Sequence, residues 1–383
     1  MRVQTGKKSL LLAENRCTLN CDDMKDSEDK EGFDEMKKSV GERIRSARRM
    51  RGLTQDELSQ RLSPKISKDA LAKFERGDNF PGSSTLLALK KALGVTLDYL
   101  FRPTADAISE VRYLKKSSIS ARELDMVTET VKDKIERYND IEDSLGVGVG
   151  FDSSSGYAVS NLDDVCAAAL SLRRDWGIGE ESAVSVIDNL EANGIRVVEV
   201  SAPADFRGMC GYANTNRPFI VLNESLDAET KRFTALHELA HIVLRFGEEK
   251  TSKEVEALCD SFASEVLLPR SVFIKLIGAR RKDIILSELR NLQRLFGISV
   301  PALMHKAAYA GVISEKRYRY FCDLMKKEKF KNEVTQSVFV PERSFRFESL
   351  VYRALASEVI TISRAANLLN SSIEEVRDNY ILV

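Results

Sequence analysis

The chain has 383 residues, 43% of them hydrophobic and 30% charged, and its 58 basic residues equal its 58 acidic ones. That length exceeds one ordinary core, and the balance of charge excludes a partner selected by global charge alone. Six cysteines without a CxxC pair argue against a zinc ribbon, and the absence of any apolar run of about eighteen residues predicts a cytoplasmic protein.

Residues 1–35 are polar and show no sustained period, which predicts a disordered extension with Met24 and Met36 as alternative starts. Charge then becomes local. From Met36 to Arg102 there are fifteen Lys or Arg against seven Asp or Glu, a segment suited to face nucleic acid. The text there reads as short helices, and "LTQDEL" offers a capping box of Thr54 with Glu57 three residues on.

The stretches "GLTQDEL", "SKDALAKFERG" and "LLALKKALGVTLDYL", with Pro81 six residues after Glu75, resemble the Cro/cI (Xre) type of helix-turn-helix domain over residues 36–103. The resemblance implies a five-helix bundle whose recognition helix enters the major groove of operator DNA. On that face Lys68, Asp69 and Lys73 would meet base edges, with Thr54 and Gln55 at a helix N-terminus beside phosphate. Arg48, Arg49, Arg51 and Asn79 would add positioning contacts. The segment "LSPKIS" is one residue longer than the usual turn, and Asp69 repels phosphate. Such domains usually act as dimers on two half-sites, which makes a homodimer possible and leaves the oligomeric state open.

Residues 104–158 are charged and helix-compatible, ending in the Gly- and Ser-rich "SLGVGVGFDSSSG", and are expected to form a helical linker. A second domain, 159–312, opens with two helices stopped by Gly177 and Gly194, then the strands "RVVEVS" and "PFIVLN". From Asp227 to about Gly311 the period is helical throughout, and residues 313–383 read as a helical C-terminal region. The expected fold class is mostly α with a small α+β domain.

Chemistry concentrates in "ALHELAHIVLRF", residues 235–246, which hold two of the three histidines. Four residues apart on a helix, His237 and His241 present two imidazoles to one point, as a Zn²⁺ ion requires. Glu238 projects near that point without being a ligand and is the expected general base for an activated water. The same stripe of Phe233, Leu236, Ala240, Val243 and Leu244 would also suit a core helix with unliganded histidines. A catalytic zinc usually takes a third protein ligand. His305 lies in the apolar helix pattern "SVPALMHKAAYAG" and suits a structural role, whereas Glu256 and Asp260 share one face of "SKEVEALCDSFASEVLLP". That spacing resembles the gluzincin arrangement, in which Glu256 would be the third ligand and Asp260 would orient a histidine. Glu254, a distant second candidate for the third ligand, and Glu265 fall on other faces of the helix and are expected in solvent.

From about Asn161 onward the stretches "LEANGIRVVEV", "DFRGMCGY", "PFIVLN", "KRFTALHELAHIVL" and "EALCDSFASEVLLP" resemble the ImmA/IrrE family of metallopeptidases, in which an Xre domain is a recurrent companion. The resemblance implies a zinc endopeptidase whose protein substrate is a helix-turn-helix repressor. It implies too that "PFIVLN" would lie at a sheet edge beside the cleft and pair with extended substrate. Asp260 stands where this family more often carries Asn, and Tyr212 is the candidate donor to the oxyanion. A rival reading keeps DNA binding and makes the second domain a sensor or dimerisation body with little proteolysis.

Overall fold

The first helix, α1 (Ser27–Met50), places Val40, Ile44 and Ala47 on one stripe, which becomes the spine of a small apolar core. The structure, a computed structural model, describes residues 27–103, 108–115, 119–151, 156–179, 182, 185–214 and 216–380. Helix α1 overturns part of the expected disorder: nine residues of the 1–35 segment are helical, and residues 1–26 lie outside the described residues. Four further helices complete the bundle: α2 (Gln55–Arg61), α3 (Lys68–Arg76), α4 (Ser83–Leu93) and α5 (Leu97–Phe101). Thr54 caps α2 and reciprocates with Glu57 as the capping box requires, and Ser67 caps α3. Gly41 is needed where α1 crosses α3, because a Cβ there would lie 2.3 Å from the Phe74 carbonyl oxygen.

The supposed linker is not purely helical. Ile108–Lys115 forms a strand, β1, before the long helix α6 (Ala121–Leu145). Then follow β2 (Tyr157–Val159), α7 (Leu162–Asp175), α8 (Val186–Ala192), β3 (Arg196–Val200), β4 (Phe206–Ala213) and β5 (Arg217–Asn223). The sheet runs β1-β4-β5-β3, with β1 and β5 antiparallel to β4 and β3 parallel to β5. This order corrects the expectation that "PFIVLN" borders the cleft. Strand β5 is paired on both sides, so its backbone groups are spent and it can accept no further strand.

Against β4 and β5 packs α9 (Ala228–Val243), buried almost all round, and its C-terminus runs into β6 (Leu244–Phe246). That three-residue strand, expected as helix, pairs in parallel with β2. Helix α10 (Ser252–Leu267) packs on α7 and α9, followed by α11 (Arg270–Ile277), α12 (Leu286–Phe296), α13 (Val300–Tyr309), α14 (Glu315–Leu324) and α15 (Glu328–Thr335). The C-terminal region closes with α16 (Arg346–Ala356), α17 (Ile362–Leu369) and α18 (Ile373–Asn379), as its helical period predicts. Among the described residues no helix is long and apolar enough to cross a membrane.

The chain divides into two compact units. One comprises residues up to Ala105 with Ser120–Thr130 and Ile360–Val383; the other comprises Asp106–Ile119 and Val131–Val359. Within the second unit the first turns of α9 are held by charge. Glu229 accepts from Gln293 Nε2 (2.6 Å), Ser337 Oγ (2.5 Å) and the Val338 amide (3.0 Å). Arg232 pairs with Glu342 and lies 4.5 Å from the centroid of the Phe339 ring, while Lys231 pairs with Glu199. Glu342 also accepts from the amides of Val186 (2.8 Å) and Ile187 (3.0 Å), capping α8. The irregular segment from Ser337 to Glu342 thereby straps the helix that carries the histidines, and buried polar groups gain the partners their desolvation demands.

Candidate metal centre and nucleic-acid interface

Helix α9 places His237, Glu238 and His241 over two turns, and α10 brings Glu256 and Asp260 toward them. His237 Nε2 lies 3.1 Å from Glu256 Oε2, and His241 Nε2 lies 3.5 Å from Glu256 Oε1. One ligand atom from each of His237, His241 and Glu256 falls within 4.8 Å of the others. Among the described residues this is the one group with metal-ligand geometry. His305 stands apart, exposed and edge-on to Tyr318 at 5.7 Å.

The surrounding contacts orient the two rings. Asp260 Oδ1 sits 2.8 Å from His237 Nδ1, so this carboxylate fixes the ring and leaves Nε2 aimed at Glu256. On the other ring, Cys259 Sγ lies 3.6 Å from His241 Nδ1. Sequence reasoning missed this contact, although its position one residue before Asp260 was a signal. The exposed fractions separate the roles: Glu238 is 0% exposed, whereas the side chains of Glu256 and Asp260 are 45% and 60% exposed.

Burial works against a charge on His237, but hydrogen bonds with Asp260 and Glu256 and the nearby charge of Glu238 push it up to about 9. Hydrogen bonds from His237 and His241 hold Glu256 well below the usual carboxylate range. The cluster therefore favours positive charge at its centre. Two imidazole nitrogens and one carboxylate match the donor set that a catalytic zinc takes from a protein. The residues present fit the ion.

Glu238 is set by close backbone packing. A Cβ on Gly208 of β4 would meet Thr234 Cγ2 at 2.8 Å, the Val221 carbonyl oxygen at 2.9 Å and Glu238 Oε1 at 3.4 Å. Only glycine lets the strand lie this near the helix. Tyr212 is on the same strand, partly buried.

One expectation about α10 fails. Glu254 caps the helix and is exposed, but Glu265 is buried, 2.5 Å from Lys306 and accepting from the Arg270 amide. A long-range cation that sequence position does not reveal draws it inward.

In the helix-turn-helix bundle, Lys68, Asp69 and Lys73 are exposed on α3, and Asn79 is exposed after it. Lys68 Nζ lies 2.8 Å from Asp56 Oδ2. Arg48 requires correction: its guanidinium makes a two-pronged contact with Glu75 (2.6 and 2.8 Å) and donates to the Leu53 carbonyl, so each of its nitrogens already donates within the bundle, which holds the side chain there. Arg51 likewise donates to the Leu93 carbonyl at 2.7 Å. Gln55 donates one amide hydrogen to Glu75 (2.9 Å), which ties the start of α2 to α3.

Residues 190–308 match the family model described as the IrrE N-terminal-like domain, and residues 41–104 match a helix-turn-helix domain model. The HTH-type transcriptional regulator ImmR of Bacillus subtilis (strain 168) is 32% identical over 108 residues, covering 28% of this chain and 72% of that relative.

Proposed function

Because the chain belongs to the Xre-type helix-turn-helix regulators that carry an IrrE/ImmA-like metallopeptidase domain, we propose that it is a zinc-dependent endopeptidase that acts on a helix-turn-helix repressor. The observation that carries this reading is the convergence of His237, His241 and Glu256 beside a buried Glu238. Those three residues would hold the ion, with Asp260 orienting His237. When bound, zinc supplies Lewis-acid chemistry, polarising the scissile carbonyl and acidifying water. Glu238 takes the proton of the attacking water on a carboxylate oxygen and returns it to the leaving amine nitrogen. Its burial keeps that carboxylate out of competition with bulk solvent.

DNA binding sets where the enzyme works. Lys68, Asp69 and Lys73 on α3 would read base edges in the major groove, with Thr54, Gln55 and Asn79 near the phosphates. Residues 36–103 would form the DNA-binding domain and 159–312 the peptidase domain.

The test is to assay the purified full chain for zinc and incubate it with the repressor encoded nearest to its own gene. A specific cut by the wild-type chain, lost in Glu238→Gln with zinc retained, is the expected result. If Glu238→Gln regulates its promoter as the wild type does, proteolysis is not the mode of action, and the rival sensor reading takes its place.

A further inference from the structure

Peptidase chemistry on a polypeptide requires an extended backbone beside Glu238, and a sheet edge is the usual way to hold one. In the four-stranded sheet the inner strand β5 is excluded by its two partners, and β3 lies beyond it with its Glu199 carbonyl accepting from Lys134 Nζ at 2.5 Å. Strand β4 is the one that touches the catalytic helix, through Gly208 against Thr234 and Glu238. Its inner side pairs with β5 and its outer side with β1.

The pairing of β1 resembles that of a bound peptide. It is antiparallel, running from Ile108 opposite Ala213 to Lys115 opposite Phe206, and Leu114 is the partner of Gly208. One strand spacing, about 4.8 Å, therefore separates the β1 backbone from the residue that abuts Glu238. The ladder is interrupted twice, between Ser109 and Arg112 and between Leu114 and Lys115. Interrupted ladders leave backbone groups unpaired and divide the strand into short runs that are easier to release. The segment is also an excursion of the chain: Asp106–Ile119 falls in the second compact unit, while the residues before it and Ser120–Thr130 after it fall in the first.

We propose that the outer edge of β4 is the strand-addition site for extended polypeptide, and that Ile108–Lys115 is its resident occupant in cis, which must leave before another polypeptide pairs beside Glu238. This rests on the endopeptidase reading for its consequence, but not for its binding measurement. Residues Arg112 and Tyr113 are neighbours in the strand, so one of their two amides points toward β4. Replacing both with proline removes that donor and disfavours pairing.

The experiment uses the full chain in a Glu238→Gln background and a fluorescent synthetic peptide of residues 106–119, followed by anisotropy. The Arg112→Pro/Tyr113→Pro variant should bind the peptide at least tenfold more tightly than the parent. A second variant, in which Ile108–Lys115 is replaced by eight Gly and Ser residues, should do the same, and circular dichroism identifies which variants keep the parent helix content. With oxidised glutathione as the electron acceptor, a peptide carrying Arg112→Cys should form a disulfide with Cys210, the register partner of position 112. Unchanged affinity in the folded variants, or crosslinking to a different cysteine, overturns the proposal. Parallel cleavage assays with Glu238 restored separate the two readings. Binding without cleavage sinks the peptidase and leaves the strand assignment standing; cleavage that neither variant accelerates, with no gain in binding, does the reverse.

Discussion

Two carboxylates, Glu75 in the helix-turn-helix bundle and Glu256 in the metallopeptidase-like unit, each gather nitrogen donors from other elements. Glu75 is 2% exposed and is held by Arg48 and Gln55, with Arg45 3.9 Å away. Glu256 is half exposed and gathers two imidazoles, which can exchange a proton for a metal ion. Guanidinium groups cannot make that exchange. A carboxylate closed by permanent cations suits scaffolding, whereas one shared by titratable rings and half exposed has the chemistry to take up a metal ion. Glu191 is a third case: buried, it accepts from Ser344 Oγ at 2.7 Å and Tyr138 at 3.3 Å, and burial pushes its carboxyl up to about 7.

The largest expected effect is at Glu238, the proposed general base. Glu238→Gln should lower peptide cleavage by roughly 10²–10⁴-fold with zinc stoichiometry unchanged, read by single-turnover cleavage beside a metal assay. Glu75→Ala should cost about 3–5 kcal/mol in urea unfolding of the DNA-binding unit, because Arg48 is left largely buried with its counter-charge gone and only the Leu53 carbonyl to accept from it. If the loss is below about 1 kcal/mol, the scaffolding role is wrong.

Glu191→Gln sharpens the third case. Since the folded-state carboxyl is raised, its favourable protonated form contributes fully below about 4.5, and that contribution is lost as pH rises through about 7. The variant should therefore match wild type at pH 4 and exceed it by about 2–3 kcal/mol at pH 8. Equal stability at both values would show that Glu191 carries its charge at no cost. Asp260→Asn, which keeps a hydrogen-bonding oxygen and removes its charge, should weaken zinc binding by about 10–100-fold in competition with a chromophoric chelator. The smallest effect belongs to Lys68→Ala or Lys73→Ala alone, each of which should lower operator affinity by about 1–3 kcal/mol and relax the preference at the base it reads, measured by titration against operators altered one base pair at a time.

Local spacing made much of the molecule legible. The Thr54 and Glu57 capping box, the helix-turn-helix text, the four-residue interval of His237 and His241, and the shared face of Glu256 and Asp260 all follow from the 3.6-residue period of a single helix. What the sequence by itself determined is therefore the set of side chains each helix presents. Strand β4 escaped notice because nearly all of its residues are buried and two are glycine, so no alternation marks it. The tertiary structure alone decided that β5 is internal, that β1 lies on β4, that Glu265 meets Lys306, and that Glu342 reaches Arg232 across more than a hundred residues. These depend on which distant segments close on one another, and no period within a single segment carries that information.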